Sequence, residues 1–537
     1  MYNNSDFTGY VYPEPKTNWT STENLKTSLK KVNFESRDSF SSGGIPVISN
    51  GETGYIDTSD NHVSIYGASG FKKSLVVFMV LICILAKACE NMFITDPKGE
   101  LYARTAKYLK SRGYKIRVFN FRDYNGEGFN PLHYPTKLYR NGYTDKALSA
   151  ASEIISALAA GQEANRNIDP FWPETAKAYN NGVIPLMIDS FPKADSVNFM
   201  SLADFFTDES ASIVKDFVSE HFKTSNAALT NLRTVLSEPE KTKMSTLSTC
   251  SSFIQPFIQN DKLARMISRS TCELEELTEE KTAFYVITDD TTTLCNTIVG
   301  VMISQLQTIL VDKAFHSPKG KLKHRVNFIC DEFCSFPIPN ICEALATHRS
   351  RNIRYFLCIQ SLDLLKKRYQ NYKSILTNCA TTLFLGSTET ELLEDISNRL
   401  GKTSITASGH EEPLISVPEL MTLRKAWDSK ELLYFNLAEG IRYCTTLPAI
   451  EAYNAFCMGY AKLPDIHHPP VHVYTISDLM VDIELGDAKL PFEECAKDKY
   501  RRKKARRTYK TIDPEVAELQ KRLDDKFEEL FGEEDEE

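Results

Sequence analysis

No two cysteines of this chain form a C-x-x-C pair, although its 537 residues include 13 of them. The nearest approach, Cys330 and Cys334, is wrongly spaced for a zinc ribbon, and the odd count points to a reduced compartment. A secretory signal is also missing, because Met1 to Lys31 is polar and has no basic-then-apolar pattern. No hydrophobic run is long enough to cross a bilayer. The most apolar one, LVVFMVLICILA from Leu75 to Ala86, stops at Lys87, well short of the roughly 20 residues needed. It reads as a buried core helix, and a cytoplasmic protein with no transmembrane segment is expected.

Basic residues are not in excess either: 63 Lys and Arg face 71 Asp and Glu, a net charge of −8. That argues against a protein that coats nucleic acid with its whole surface, but leaves room for one basic face. Gly and Pro, at 23 each, are too few for a collagen-like or low-complexity chain, and no repeat of 20–50 residues is visible. What is present is 42% hydrophobic and 11% aromatic residues, enough for a substantial core. At roughly 100–200 residues per domain, the length predicts two to four domains.

Residues 1–44 are rich in Ser, Thr, Asn and Asp and read as a loosely ordered arm. Apolar strand-like runs at 45–49 and 62–66 follow, then the apolar helix, a strand at 91–95, a helix at 100–112 and a strand at 115–120. Strand alternating with helix is the rhythm of a parallel α/β sheet. Near Tyr143 the rhythm stops, and to about Glu279 the pattern is helical, as in ALSAASEIISALAA and ETAKAYNNGVIPLMI. Strands return at 282–288, 326–330, 354–359 and 382–385. The expected organisation is therefore one α/β domain in two parts, 45–142 and 280–465, interrupted by an all-α domain at 143–279. A tail follows at 466–537. Within it, residues 496–510 carry nine Lys or Arg against one Asp, and residues 511–537 carry three against twelve Asp or Glu. Val516, Leu519, Leu523, Phe527 and Leu530 form the apolar stripe of an amphipathic helix opened by Asp513-Pro514. The tail reads either as a solvated segment whose halves screen each other, or as a contact for DNA phosphates, an anionic membrane or a basic partner.

Between the strand at 62–66 and the apolar helix lies Gly67-Ala68-Ser69-Gly70-Phe71-Lys72-Lys73-Ser74. It matches the phosphate-loop pattern G-x-x-x-x-G-K-[ST] at Gly67, Lys73 and Ser74, in the strand–loop–helix context that the pattern requires. Backbone N–H groups of such a loop wrap phosphates at a helix N-terminus. Lys73 would bridge the β- and γ-phosphates, and Ser74 would ligate Mg²⁺. Lys72 stands where the pattern has its last glycine. If that position needs a positive φ, Lys72 costs about 1–2 kcal/mol. The rival reading is an ordinary glycine-containing turn.

An acidic pair at a hydrophobic strand end completes such a site. Asp331-Glu332 follows Val326–Cys330: Asp331 would hold the Mg²⁺, and Glu332 would orient and deprotonate the attacking water. Gln360 ends the strand at 354–359 and either senses the γ-phosphate or caps a loop. Arg349 and Arg351 lie between these strands. Arg351, with Arg349 second, is the candidate to complete a neighbouring subunit's site, against a purely solvated role. The stretch His467-His468-Pro469-Pro470-Val471-His472 looks metal-like but reads better as a linker.

Further motifs stand in order along the chain: I-T-D-P-K-G-E-L at 94–101, G-Y-K-I-R-V-F-N at 113–120, G-F-N-P-L-H-Y at 128–134, D-P-F-W at 169–172, D-D-T-T at 289–292 and L-F-L-G-S at 383–387. Together with the two nucleotide motifs they make the chain, from about residue 44 to 455, resemble the conjugative coupling proteins of type IV secretion systems, the TraG/TraD-like family. The resemblance implies a RecA-like P-loop NTPase domain interrupted by an all-α domain, assembled as a homo-hexamer. It implies ATP and Mg²⁺ as cofactors, DNA and a relaxase as partners, and delivery of DNA–relaxase complexes to the secretion channel. It also implies DNA or substrate recognition by the inserted helices. Most family members carry N-terminal transmembrane helices. Without them this chain resembles a soluble branch, reaching the inner face of the membrane through a separate anchored partner. Asp96 and Lys98 fall near the site without an assigned role. Because of Lys72, a non-hydrolysing adaptor that keeps the ring fold remains the alternative. A related translocase of chromosome segregation or DNA packaging is opposed by the helical insertion and by D-P-K-G-E-L.

Overall fold

The computed structural model describes residues 17–163, 169–221, 226–289, 291–404, 411–485 and 488. The chain divides into two compact units, 1–481 and 482–537; of the second, only 482–485 and 488 are described. The basic run at 496–510, the amphipathic pattern after Asp513 and Asp290 of D-D-T-T lie outside the described residues.

The near-continuous apolar runs form the strands that a sheet covered on both faces needs. Three strands make a small antiparallel sheet of order β1-β3-β2: β1 (Lys30–Asn33), β2 (Ile45–Ser49) and β3 (Thr53–Asp57). The main sheet takes β4 (Val63–Gly67), β5 (Asn91–Thr95), β6 (Lys115–Asn120), β7 (Asn125–Gly126), β8 (Thr282–Ile287), β9 (Val326–Cys330), β10 (Ile353–Ile359) and β11 (Thr381–Gly386). A short hairpin, β12 (Lys402–Ser404) and β13 (Glu411–Pro413), stands apart. β14 (Ser429–Asn436) and β15 (Ile441–Pro448) rejoin the main sheet, whose order is β15-β14-β11-β4-β10-β9-β5-β8-β6-β7. From β11 to β6 all neighbours are parallel, while β7, β14 and β15 pair antiparallel.

The apolar run after the phosphate loop is a core helix, as expected. It opens with a π turn, Ser74–Phe78, and continues as the α-helix Met79–Lys87, buried throughout. Lys87 ends it without reaching water. Its Nζ donates to the carbonyls of Phe34 (2.7 Å) and Ser36 (2.5 Å) and lies 4.7 Å from the centre of the Phe40 ring. Burial pulls its pKa down to about 8. The expectation that no run is long enough to cross a bilayer is corrected by the helix Asn296–Phe315, the one described helix long and apolar enough to do so by length and composition. It is mostly buried in this protein, where Gln305 and Gln307 donate to Pro131 O (2.7 Å) and the Tyr355 hydroxyl (3.0 Å).

The expectation of a loose N-terminal arm is corrected for its described part. Thr22–Ser28 is helical, capped by the Ser21 side chain, and β1 pairs with β3. Leu25 and Phe34 are fully buried. Their few apolar side chains anchor a segment whose polar average hid them. The tail is likewise anchored at its start, where Tyr474 packs edge-on against Phe191 at 4.6 Å.

Between β7 and β8 the described residues form only helices and turns, from His133–Arg140 to Asp261–Ile267. Asparagines begin three of these helices: Asn198, Asn226 and Asn260 accept from N–H groups of the first turn. Asn91 in β5 ties the end of the helical run to the sheet, donating to Leu277 O (2.8 Å) and Glu279 O (2.6 Å).

Two histidines are buried near the amino ends of β4 and β10. His62 Nε2 donates to Leu345 O (3.0 Å) while its Nδ1 accepts from Tyr355 N (3.2 Å); His348 Nδ1 meets the Tyr355 hydroxyl at 2.8 Å. Burial first, then nearby arginines, lowers His62 to about 4; burial and His62 lower His348 to about 3. Both pKa values lie below the unfolded value of about 6.5, so their stabilisation is complete above that pH. It is lost as pH falls from about 6.5 towards the folded values, by about 1.4 kcal/mol per unit for each histidine. Denaturant midpoints taken from pH 7 to 5 should therefore fall steeply, and His62→Gln should flatten the slope. Equal slopes in the two proteins would refute this.

Candidate nucleotide site at the carboxyl edge of the sheet

In the order β4-β10-β9-β5 four parallel strands lie side by side, so their carboxyl ends emerge along one edge. Open α/β sheets bind ligands at that edge. Each of the four strands is followed by residues picked out from the sequence: the loop after Gly67, Gln360 after β10, Asp331-Glu332 after β9, and Asp96 after β5. Together they line one cavity of about 250 Å³, with Ser69 to Leu75, Pro97, Lys98 and Glu100.

The loop has the shape that phosphate binding needs. Gly70 and Lys72 both have positive φ, 81° and 60°. Among the described residues, no backbone partner takes the N–H groups of Ser69, Gly70, Lys72 or Lys73. Free N–H groups at a helix N-terminus attract anions. A Cβ on Gly67 would come within 2.9 Å of the Lys73 side chain, so the glycine leaves room for the lysine to fold over it. Lys73 Nζ donates to Gly67 O (2.6 Å) and Ala68 O (3.2 Å).

Lys72 does adopt the conformation reserved for the missing glycine, and its side chain offsets the strain. Its Nζ donates to Ala426 O (2.7 Å) and Trp427 O (2.5 Å), tying the loop to the turn before β14. Phe71 beside it fills the space left by Gly386 of L-F-L-G-S, where a Cβ would stand 2.3 Å from the ring. Lys72→Met keeps the strained φ and loses both bonds, which are worth about 1.5–3 kcal/mol for a charged donor. Lys72→Gly loses the bonds but also the strain, about 1–2 kcal/mol. Amide exchange across 67–74 should therefore quicken about tenfold or more in Lys72→Met and clearly less in Lys72→Gly. The opposite ranking would show that the tether does not hold the loop.

The acidic pair is held as tightly. Asp331 is buried, and its Oδ1 accepts from Glu332 N (3.1 Å). Burial pushes its carboxyl up to about 6, with the Lys73 charge opposing and Glu332 adding to the rise. Glu332 has φ 55°, a left-handed conformation that is costly for a residue other than glycine. Gln360 Nε2 donates to Glu332 Oε1 at 3.0 Å. The amide at the end of β10 thus holds the carboxylate at the end of β9.

Asp96 was located from the sequence but given no role. It is 1% exposed, and burial pushes it up to about 7, opposed by the backbone N–H groups of Tyr102 and Leu101 and reinforced by Asp331 and Glu100. The Lys72 anchor and the turn at 426–427 carried no sequence signal, because they meet the loop only through the sheet order.

Arg351 and Arg349 are not in this cavity. They form a short turn before β10, so the seven-residue strand separates them from Gln360 by about 23 Å at about 3.3 Å per residue. Arg351 donates to Thr347 O (3.1 Å) and borders a larger cavity of about 690 Å³, away from the strand ends above. Neither arginine lines the chain's own cavity at the strand ends.

Among the described residues, no three His, Cys, Asp or Glu side chains converge as a metal cage, the 467–472 stretch included. The cavity suits Mg²⁺ in another way. Ser74, Asp331 and Asp96 are hard oxygen donors lining this cavity, and Asp96 Oδ1 is buried without a partner among the described residues. Mg²⁺ is commonly held by one or two carboxylates plus phosphate oxygens and water.

A mostly parallel sheet with a phosphate loop after β4 and an acidic pair after β9 defines a RecA-like P-loop NTPase fold. The chain belongs to the type IV secretory system conjugative DNA-transfer family, whose family model matches residues 16–420. It is a TraG/TraD-like coupling protein by family. No curated protein matches it by sequence. Solved structures similar to it include the bacterial conjugative coupling protein TrwBΔN70 with sulphate, at 14% identity and a TM-score of 0.57, covering 85% of this chain and 97% of that one. Plasmid coupling protein TrwB with ADP and Mg²⁺ matches at 15% identity and a TM-score of 0.56, over 85% of this chain and 97% of that one. TrwB with the ATP analogue ADPNP matches at 15% and 0.54, with the same coverage.

Proposed function

We propose that this chain is the ATP-dependent motor that couples DNA to a conjugative type IV secretion channel. The observation that carries the reading is the convergence of Lys73, Ser74, Asp331, Glu332 and Gln360 on one cavity at adjacent strand ends. Lys73 exchanges its bonds to Gly67 and Ala68 for the β- and γ-phosphates, while the loop N–H groups hold their oxygens. Ser74 and Asp331 hold Mg²⁺, which when bound neutralises charge on the phosphates. Glu332 orients the attacking water and takes its proton; Gln360 fixes the carboxylate for that task and senses the γ-phosphate.

A homo-hexamer with Arg351 acting on a neighbour's site completes the proposal, with Arg349 as the second candidate. The helical segment 143–279 is proposed as a separate domain that contacts DNA or a relaxase, between the two parts 45–142 and 280–465 of the motor. The ring is placed at the cytoplasmic face of the membrane, against the secretion channel or an anchored partner. ATP turnover measured against protein concentration, with single- and double-stranded DNA, tests the whole reading. Turnover should rise with both assembly and DNA. A hexamer that binds a relaxase but hydrolyses no ATP, with or without DNA, would replace the motor by the non-hydrolysing adaptor.

A further inference from the structure

Asp96 follows the strand beside that of Asp331 and is divided between two tasks, only one of which is visible. In the parallel register Thr95 lies opposite Cys330, so Asp96 and Asp331 leave the sheet side by side. The Thr95 hydroxyl donates to Asp331 O at 2.8 Å and locks the two strand ends together. Asp96 Oδ2 accepts from Tyr102 N at 2.8 Å, in the first turn of the helix Glu100–Ser111, and so caps that helix. Asp96 Oδ1 is buried, has no partner among the described residues, and belongs to a side chain lining the cavity.

A buried oxygen without a donor costs about 1–3 kcal/mol, and in native proteins such a group calls for a ligand or water to satisfy it. The nearby cations do not serve it. Lys73 is turned onto Gly67 and Ala68, and Lys72 onto Ala426 and Trp427. A donor suited to an acceptor-only oxygen beside Asp331 and Ser74 is water bound to a divalent cation, because Mg²⁺ dehydrates reluctantly and keeps several waters.

We propose that Asp96 is a positioning residue for the nucleotide's divalent cation, its Oδ1 accepting a hydrogen bond from a cation-bound water. This rests on the nucleotide reading of the cavity. Asp96→Asn separates the two tasks, since the amide oxygen can still cap Tyr102 while an NH₂ donor replaces the free acceptor. Asp96→Ser keeps a capping hydroxyl and removes the second oxygen.

The test is the affinity of the full chain for fluorescent ADP, measured in EDTA and in Mg²⁺, with thermal midpoints alongside. In both variants affinity in EDTA should stay within about twofold of the unsubstituted protein, while the tightening produced by Mg²⁺ should shrink about tenfold. Mg²⁺ tightening kept within twofold would overturn the proposal. So would a loss of affinity in EDTA together with a lowered midpoint, because that assigns Asp96 to the helix cap alone. Absence of ADP binding by the unsubstituted chain would overturn the nucleotide reading itself, and this proposal with it.

Discussion

Replacing Glu332 by Gln should lower ATP turnover at least a hundredfold while leaving nucleotide affinity within about threefold. A general base contributes about 10²–10⁴ in rate, and the structure shows why this substitution removes little else. Gln360 Nε2 donates to Glu332 Oε1, and a glutamine side-chain oxygen can accept the same bond. The left-handed backbone at residue 332 (φ 55°) is no harder for Gln than for Glu. Position and packing are kept, and basicity is lost. Lys73→Ala should fail differently, losing nucleotide affinity as well as turnover, because it removes the cation facing the phosphates. Single-turnover and binding measurements on both variants separate the two effects. A Glu332→Gln protein that hydrolyses ATP within threefold of the unsubstituted one would remove Glu332 from the base role.

At the opposite end of the sheet, breaking the pair between Glu90 and Arg354 is expected to cost about 3–5 kcal/mol of stability. Arg354 is 2% exposed and lies at the amino end of β10. Its guanidinium donates to Glu90 Oε2 (3.0 Å), Asn327 Oδ1 (2.9 Å), Ser59 O (2.9 Å) and Gly43 O (3.2 Å). Glu90 Oε1 accepts from Gly43 N (2.8 Å), and its Oε2 also accepts from Asn327 (3.0 Å). The cluster therefore pins residues 43 and 59 to β9 and β10. Glu90→Ala leaves a buried guanidinium without its counter-charge, and Arg354→Met leaves a buried carboxylate short of its main donor. Removing both charges avoids either residue of unpaired charge, so the double variant should lose clearly less than the sum of the single ones. Denaturant midpoints for the three proteins check this; strict additivity would show that the two groups do not act as a pair.

Much of the sheet was legible because burial on both faces demands uninterrupted apolar runs. β5, β6 and β9 occupy the residues expected from pattern alone, as does β2 in the small sheet. β14 and β15 were not anticipated. They pair antiparallel on the edge beside β11, and partly exposed residues in β15 break the apolar run that marks a covered strand. The helix Glu100–Ser111 and the helical stretch after β7 showed their periodicity plainly. The structured part of the N-terminal arm did not, because composition averages over the two or three apolar anchors that decide whether a polar segment packs.

The sequence by itself determined the parts of the site: a phosphate loop, an acidic pair and a strand-end amide each carry a local pattern fixed by their chemistry. It also marked Lys72 as the position where that pattern breaks. Only the tertiary structure decided that the four strand ends are neighbours, since sheet order sets which ends meet and residues hundreds apart must pair to create it. That order gives Glu332 its partner in Gln360, leaves Asp96 Oδ1 without a donor among the described residues, and brings the turn at 426–427 to the Lys72 amine. It also places Arg351 a full strand length from the chain's own site. Local chemistry is written in short stretches of chain, whereas these pairings depend on long-range contacts that no local pattern records.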